Sequence, residues 1–446
     1  MKSHVLVIGG GFAGLRAAVG LADAGLRVTL LEGRNGLGGR ARSFSDPATG
    51  DRVDNGQHLF LAGYHRTLAF LDRLGTRDRV VFQDRLRVCF ARPGGRIEIL
   101  DCPEAVAPWH LVLGLLRFPG FPLSDKLRLR RVWNEIQNPN GSSAETVEQW
   151  LARLGQGEKS RACFWDPLTI AALNEDPARA SSAGLRQVLG RMMAGPWQDS
   201  RLGMAVVGLT ELYGDRSKQI IEEKGGEVFL NCPVVSLEIE NGKVKGAGLA
   251  GGRRLCADAV ICAVPPAALL KLLTESTGYF VPGTLVQNLR KFSSSPILSV
   301  NLWLDRPVSR EPFVALIGRR FQWLFNKQAM LRSAGLKAGY VSLIASAAYN
   351  LLDQPNEKLV RAALEDLQAC FPKFGCLSPS RSQVVRERDA TVSLTPETEK
   401  LRPGPKTSLS NLFLAGDWTA TGLPATLESA VLSGESAAEA ALNLPA

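Results

Sequence analysis

The chain reads as an α/β protein with α+β insertions, its parallel sheet assembled from three separated stretches. Three observations predict this. A strand–turn–helix–strand pattern opens the chain at "HVLVIGGGFAGLRAAVGLADAGLRVTLLE". A second buried-strand run, "AVICAVPP", ends in paired prolines near residue 265. A third, "NLFLAGDW", ends in a glycine–acid turn ahead of a long helical pattern.

In the first stretch, His4 to Gly9 is an uninterrupted apolar run and reads as a buried strand. From Phe12 to Ala24 the apolar residues Leu15, Ala18, Leu21 and Ala22 recur at helical spacing. Gly25 is placed to end that helix in a left-handed conformation. Arg27 to Leu31 reads as a second buried strand. The turn between is Gly9-x-Gly11-x-x-Gly14. Gly9 permits a sharp turn, Gly11 admits a pyrophosphate close to the backbone, and Gly14 lets helix and strand pack. The helix start at Phe12 and Ala13 aims free N–H groups at that anion. Glu32 ends the second strand, where a carboxylate accepts from ribose hydroxyls and disfavours a 2′-phosphate. With a strand before it, a helix after it and the acid in place, the glycine pattern points to a dinucleotide.

Soon after comes "EGRNGLGGRAR", with Gly38-Gly39 followed by Arg40, whose guanidinium suits a pyrophosphate. In the second stretch Asn241-Gly242 signals a hairpin, and Val260 to Val264 reads as a strand running into Pro265-Pro266. In the third, Leu412 to Ala415 reads as a strand, Gly416-Asp417 as its turn, and Ala425 to Leu442 as a helix. Between these pieces, "ILSVNLWL", "FVALIG", "FQWLFN" and "YVSLIASAA" read as strands and Glu357 to Phe371 as a helix. The expected organisation is therefore 1–75, 205–270 and 405–446 for the nucleotide domain. A helical region at 76–204 and a mixed sheet with helices on one face at 271–404 complete it.

Composition sets the outer limits. The 446 residues are 45% apolar and 22% charged, ordinary for a soluble chain. No apolar run reaches the roughly 18 residues of a spanning helix, and no secretory signal opens the chain, so a cytoplasmic location is expected. Eight scattered cysteines without a Cys-x-x-Cys pair, and four histidines within the first 110 positions, give no metal site. The net charge of +10 suits an anionic surface. Basic residues do not interleave with aromatics as in single-strand binders, so a membrane face is favoured over nucleic acid. "VAPWHLVLGLLRFPGFPLSDKLRLRRVW", Val106 to Trp133, is apolar first and then basic. It suits docking on anionic lipid, a tunnel wall, or a core helix pair with a solvated basic face.

The run "VDNGQHLF" concentrates Asp54, Asn55, Gly56, Gln57 and His58 between apolar residues. His58 titrates near neutrality if unperturbed and can donate a proton there. It can equally hold the loop by bonding backbone, with Asp54 as a turn or cap residue.

These signatures, in this order, resemble the FAD enzymes of the amine oxidase and phytoene desaturase superfamily. "VDNGQHLFLAGY", "FWDPLTIAALNEDPARAS" and "AGDWTATGLPATLESAVLSG" more specifically resemble the hydroxysqualene dehydroxylases of hopanoid-making bacteria. The resemblance implies a discontinuous Rossmann-like FAD-binding domain and a substrate domain of mixed sheet and helices. It implies Gly39 and Arg40 at the pyrophosphate and Val234 offering backbone to the adenine. It places Gly416 and Asp417 at the ribityl or pyrophosphate region, and Thr426 and Leu427 with their N–H groups toward the flavin pyrimidine. Gly56 would let the backbone lie along the ring, and Gln57 and His58 would face the reacting carbon as catalytic candidates. Asp166 and Asn174 are weaker pocket candidates, as are His65 and His110. The implied reaction removes an allylic hydroxyl from a C30 isoprenoid, with hydride from flavin and electrons from a reductase or NAD(P)H. Rivals are a carotenoid-type desaturase and a cofactor-free isoprenoid carrier on the same fold. An amine oxidase is less favoured, since its aromatic cage and flavin-side lysine are not readable.

Overall fold

A computed structural model describes residues 3–137, 144–276, 283–331 and 339–444. Residues 1–2 and 445–446, at the outer limits of the expected segments, lie outside them.

The parallel sheet has five strands in the order Glu227–Phe229, Arg27–Leu31, His4–Ile8, Ala259–Cys262, Leu412–Leu414. Every neighbouring pair is parallel. Three distant stretches of chain thus share one sheet. Side chains alternate across a strand, and here both faces are apolar because both are covered. Val5 and Val7 meet the Phe12–Asp23 and Leu427–Leu442 helices through Leu15, Ala18, Val431 and Ala438. Leu6 and Ile8 meet a three-stranded layer and the Pro266–Thr274 helix through Leu237, Ile239, Val244 and Leu269. That layer comprises Val234–Glu240, Lys243–Leu249 and Arg254–Cys256. Its first turn has φ of 50° at Asn241 and 72° at Gly242, the left-handed pair a tight hairpin needs. The strand expected at Val260–Val264 begins one residue earlier and ends at Cys262.

The second sheet has seven strands: Pro379–Val392, Ser294–Leu304, Tyr340–Ser346, Trp323–Asn326, Phe313–Leu316, Arg87–Ala91 and Ile97–Asp101. Its last two strands correct the expectation of a helical region at 76–204. The first is buried from Val88 to Ala91 and the second alternates exposed and buried residues, joined by "RPGGR", whose Gly94 and Gly95 both have positive φ. That is a hairpin signal passed over between stronger patterns. The sheet is mixed, with Phe313–Leu316 parallel to Arg87–Ala91 and the other pairs antiparallel. One face packs Leu298, Val300 and Leu302 on Leu359, Ala363 and Leu367 of the Asn356–Cys370 helix. The other directs Ile297, Trp323, Phe325 and Ile344 toward the helices Trp109–Arg117, Leu123–Gln137 and Ser182–Ala194. No helix among the described residues is long and apolar enough to cross a membrane.

Candidate active site

A cavity of about 1170 Å³ runs from the parallel sheet to the helices Trp109–Arg117 and Leu123–Gln137. It exceeds the roughly 300–1,000 Å³ of a small-molecule site, leaving room for two occupants. At its sheet end it is lined by Gly9, Gly11, Phe12, Ala13, Glu32, Gly39 and Arg40 from the first stretch. Val234 comes from the second stretch, and Gly416, Asp417, Thr426 and Leu427 from the third. Gln57 and His58 line it as well, whereas Gly14 and Gly56 do not. Gly56 is nevertheless buried, and a Cβ there would meet no protein atom within 4 Å.

Local geometry explains the turn. Gly9 has φ of +107°, and a Cβ on it would lie 2.6 Å from the Ala263 carbonyl oxygen. A Cβ on Gly14 would lie 1.9 Å from the Gly9 carbonyl oxygen, so the helix sits this close to the strand only without a side chain. Gly11 caps the helix with no side-chain acceptor, and no acid occupies the first turn. Its leading N–H groups therefore face the cavity as an anion site, which fits a pyrophosphate. Glu32 lies at the rim, with Oε2 accepting from Gly10 N at 2.8 Å and Oε1 from Arg34 N at 2.9 Å. The carboxylate thus shapes the loop and keeps lone pairs for a diol.

The second helix start is built differently. Thr426 Oγ1 accepts from Ser429 N, which caps its own helix. Glu428, in the first turn, turns away and accepts from Arg66 N, Thr67 N and Thr67 Oγ1. Its negative charge thereby serves the start of the neighbouring His65–Leu74 helix.

Arg40 and Asp417 meet directly, Nη2 to Oδ1 at 2.5 Å. The sequence reading sent each separately to a cofactor, but the fold makes them one charge-paired clamp on the rim. Tyr213, unrecognised in the sequence, anchors the same loop. Its ring stacks on Phe12 at 3.5 Å between centroids, and its hydroxyl lies 2.7 Å from Gly38 O and 2.6 Å from Ala41 O. Burial pushes the Tyr213 phenol well above its usual range, so it remains a donor.

The polar run is split between two tasks. Asn55 fixes backbone, its Nδ2 donating to Arg40 O at 3.0 Å and its Oδ1 accepting from Arg42 N at 2.9 Å. Asp54 accepts from Ser43 Oγ and, at 2.7 Å, from the ammonium of Lys327. Lys327 is 1% exposed and also donates to Gln57 Oε1 at 3.0 Å. His58 is not poised near neutrality as its ordinary value suggests. Burial lowers its pKa, against weaker upward pulls from Asp54 and the Arg40 carbonyl, which makes the imidazole neutral at pH 7. Tyr64, also on the wall and unrecognised in the sequence, has a pKa pushed up to about 12 by burial and Glu428.

Asn174 lines the cavity but has a joining role. It sits at φ 48° and bonds Ser295 O, Thr391 Oγ1 and Ala347 N. Asp166 and His110 do not line the cavity, and His65 pairs with Asp199 at 3.0 Å. Beyond Gln57 and His58 the wall is mostly apolar, with Val88, Phe90, Leu115, Phe164, Leu168, Met193, Phe325 and Ile344, and with Asn174, Ser346 and Thr391 among its few polar residues. The described residues hold no cluster of three or more metal-ligating side chains.

The sequence profile of the family described as flavin containing amine oxidoreductase matches residues 12–442. A hydroxysqualene dehydroxylase of Sinorhizobium fredii is 32% identical over 99% of this chain and 99% of its own. A 15-cis-phytoene desaturase of Glycine max is 25% identical over 98% of this chain and 79% of its own. The solved structure of cyclohexylamine oxidase from Brevibacterium oxydans superposes with a TM-score of 0.72 at 17% identity, covering both chains completely, and shares the fold. The chain belongs to the flavin-containing amine oxidoreductase family and, within it, to the hydroxysqualene dehydroxylase group.

Proposed function

We propose that the protein reductively removes the hydroxyl of hydroxysqualene to give squalene, with FAD held at the sheet end of the cavity. The observation that carries this reading is the continuity of one cavity from an anion-binding glycine turn to a long apolar wall. The open helix start at Phe12 and Ala13, beside Gly9 and Gly11, receives the pyrophosphate. Gly39 and the Arg40–Asp417 pair border it, and Gly416 closes the same rim. Glu32 takes the ribose hydroxyls, and the Val234 backbone takes the adenine. The helix start at Thr426 and Leu427 would hold the flavin pyrimidine, and Gly56, buried behind Gln57, would add no side chain toward the ring. Reduced FAD, when bound, supplies the hydride.

The remaining steps belong to the chain. The apolar wall takes the isoprenoid and excludes water, which strengthens every polar contact at the reacting carbon. As the C–O bond breaks, the hydroxyl oxygen accepts a proton that originates from solvent and leaves as water, while the carbon accepts the hydride. Gln57 and His58 border the change from polar to apolar wall, where that oxygen would lie. His58, neutral at pH 7 with its ring N–H toward the Arg40 carbonyl, orients the hydroxyl by accepting from it at the other ring nitrogen. The test is incubation of FAD-loaded protein with hydroxysqualene and a chemical reductant, followed by lipid analysis. Squalene is expected, and its absence refutes the reading. A desaturase would instead form a more unsaturated polyene without reductant, and a carrier would purify without flavin colour.

Peripheral contact with the cytoplasmic face of an anionic membrane is part of the proposal. Val106, Trp109, Leu116, Leu123 and Leu127 are exposed apolar residues around the cavity end formed by the two helices. Trp109, Leu116 and Leu127 also line the cavity, with Lys126 and Arg130 beside them. Such cations contribute about 1 kcal/mol each near anionic lipid. Arg128 is occupied differently, donating to Gly155 O at 3.0 Å. A water-insoluble substrate would pass from bilayer to cavity through this mouth.

A further inference from the structure

A buried lysine is retained only when partners compensate its desolvation. Lys327 has two, Asp54 Oδ2 at 2.7 Å and Gln57 Oε1 at 3.0 Å. The first partner balances its charge. The second is a neutral amide on the cavity wall, and it constrains the wall's chemistry. An ammonium carries donors only, so it must face the amide oxygen. The Gln57 NH₂ is then turned away from Lys327. It is buried and has no hydrogen-bond partner among the described residues. A sequestered donor of this kind costs about 1–3 kcal/mol until an acceptor arrives.

We infer that Lys327 is a positioning residue that holds the Gln57 side-chain amide as a hydrogen-bond donor for the hydroxyl oxygen of the substrate. The inference rests on the dehydroxylation reading above and adds a specificity device to it. The apolar wall grips any C30 chain, whereas the Gln57 NH₂ favours a chain bearing oxygen. The substrate carries that acceptor and the hydrocarbon product does not. Loss of the oxygen as water therefore removes a contact that the product cannot replace, and the product binds more weakly than the substrate.

The test compares binding of hydroxysqualene and squalene to oxidised, FAD-loaded protein, read by perturbation of the flavin spectrum. Without reductant neither ligand turns over. Gln57→Met removes the donor and leaves the Lys327–Asp54 pair intact. The charge-balanced double variant Asp54→Asn with Lys327→Met frees the amide to rotate, and it avoids stranding a buried carboxylate as Lys327→Met alone would. Both are expected to keep bound flavin and their affinity for squalene. Both should lose about tenfold in the preference for hydroxysqualene, or about 1.4 kcal/mol. An unchanged preference in the flavin-bound Gln57→Met protein overturns the inference, as does an unchanged preference in the flavin-bound double variant. A changed flavin spectrum without a changed preference also overturns it, because the acceptor would then be the cofactor. Addition of reductant to the wild type separates the two levels. If squalene forms and the variants keep the preference, only this inference fails. If none forms, the reading and the inference fall together.

Discussion

The two ends of the cavity are built on opposite principles. At the parallel sheet, a dozen residues near the turns create binding capacity from backbone, with Gly9 and Gly14 set by contacts of 2.6 and 1.9 Å that exclude a side chain. At the far end, capacity comes from bulk. Val88 and Phe90 from one strand, and Phe164, Phe325 and Ile344 from three other elements, offer apolar surface with no directional bond. The first end tolerates almost no change at a few positions, and the second tolerates many changes of similar volume. Between them lies a narrow polar seam, Asp54, Gln57, His58 and Lys327. Lys327 there joins Asp54 to Gln57, and His58 stands beside them.

Substitutions can break this contrast in graded fashion. Gly9→Val combines a forbidden φ with a collision, and purified protein is expected to carry no flavin absorbance. A yellow Gly9→Val protein would show that the turn does not govern cofactor binding. Ala172→Trp should fill the apolar wall instead. Flavin content is expected to stay near wild type while squalene formation falls about a hundredfold, close to 2.7 kcal/mol. Loss of flavin there would mean the two ends are not separable. Arg40→Met removes one half of the rim clamp and should weaken flavin binding about tenfold in a titration of the apoprotein.

The histidines sharpen the same contrast through pH. Burial lowers the pKa of His4, His58 and His110 below 6.5. The unfolded chain then binds protons that the folded chain refuses, so their contribution is present above about pH 6.5. It is lost as pH falls through the folded values. Thermal midpoints should fall between about pH 7 and pH 5.5, and His110→Gln, away from the cavity, should flatten that slope. A midpoint that rises on acidification would contradict the burial of the neutral forms. The smallest effect on stability is expected at the mouth. Leu123→Glu with Leu127→Glu should change stability by about 0.5 kcal/mol or less per site. Flotation with anionic vesicles should nonetheless drop several-fold, and unchanged flotation would dismiss the docking surface.

Much of the first end was legible because its constraints are local. The strand Arg27–Leu31 appears within the limits read from its apolar run and the following acid, and the Phe12 helix ends one residue early. Gly25 takes φ of 84° as a helix-ending glycine should. The strands Arg87–Ala91 and Ile97–Asp101 were missed although they are equally local. They pair with each other, but the strand that ties them into the sheet, Phe313–Leu316 against Arg87–Ala91, lies more than 200 positions away, and no short window announces it. The aromatic anchor Tyr213 carried no signal beyond one tyrosine in an irregular helical turn. Tyr64 likewise offered only an aromatic residue before a helix.

The sequence alone determined that three short segments would join one sheet and bring their turns to one cavity, since each contains its own turn chemistry and needs only a common sheet. It also singled out the polar run from Asp54 to His58 as unusual. Only the tertiary structure decided what that run does, because its partner Lys327 is 273 positions away along the chain. It likewise joined Arg40 to Asp417 and lowered the basicity of His58. The physical reason is common to all three. A backbone turn is set by steric limits within a few residues, whereas charge pairing and desolvation depend on which groups the completed fold brings together and which it hides from water.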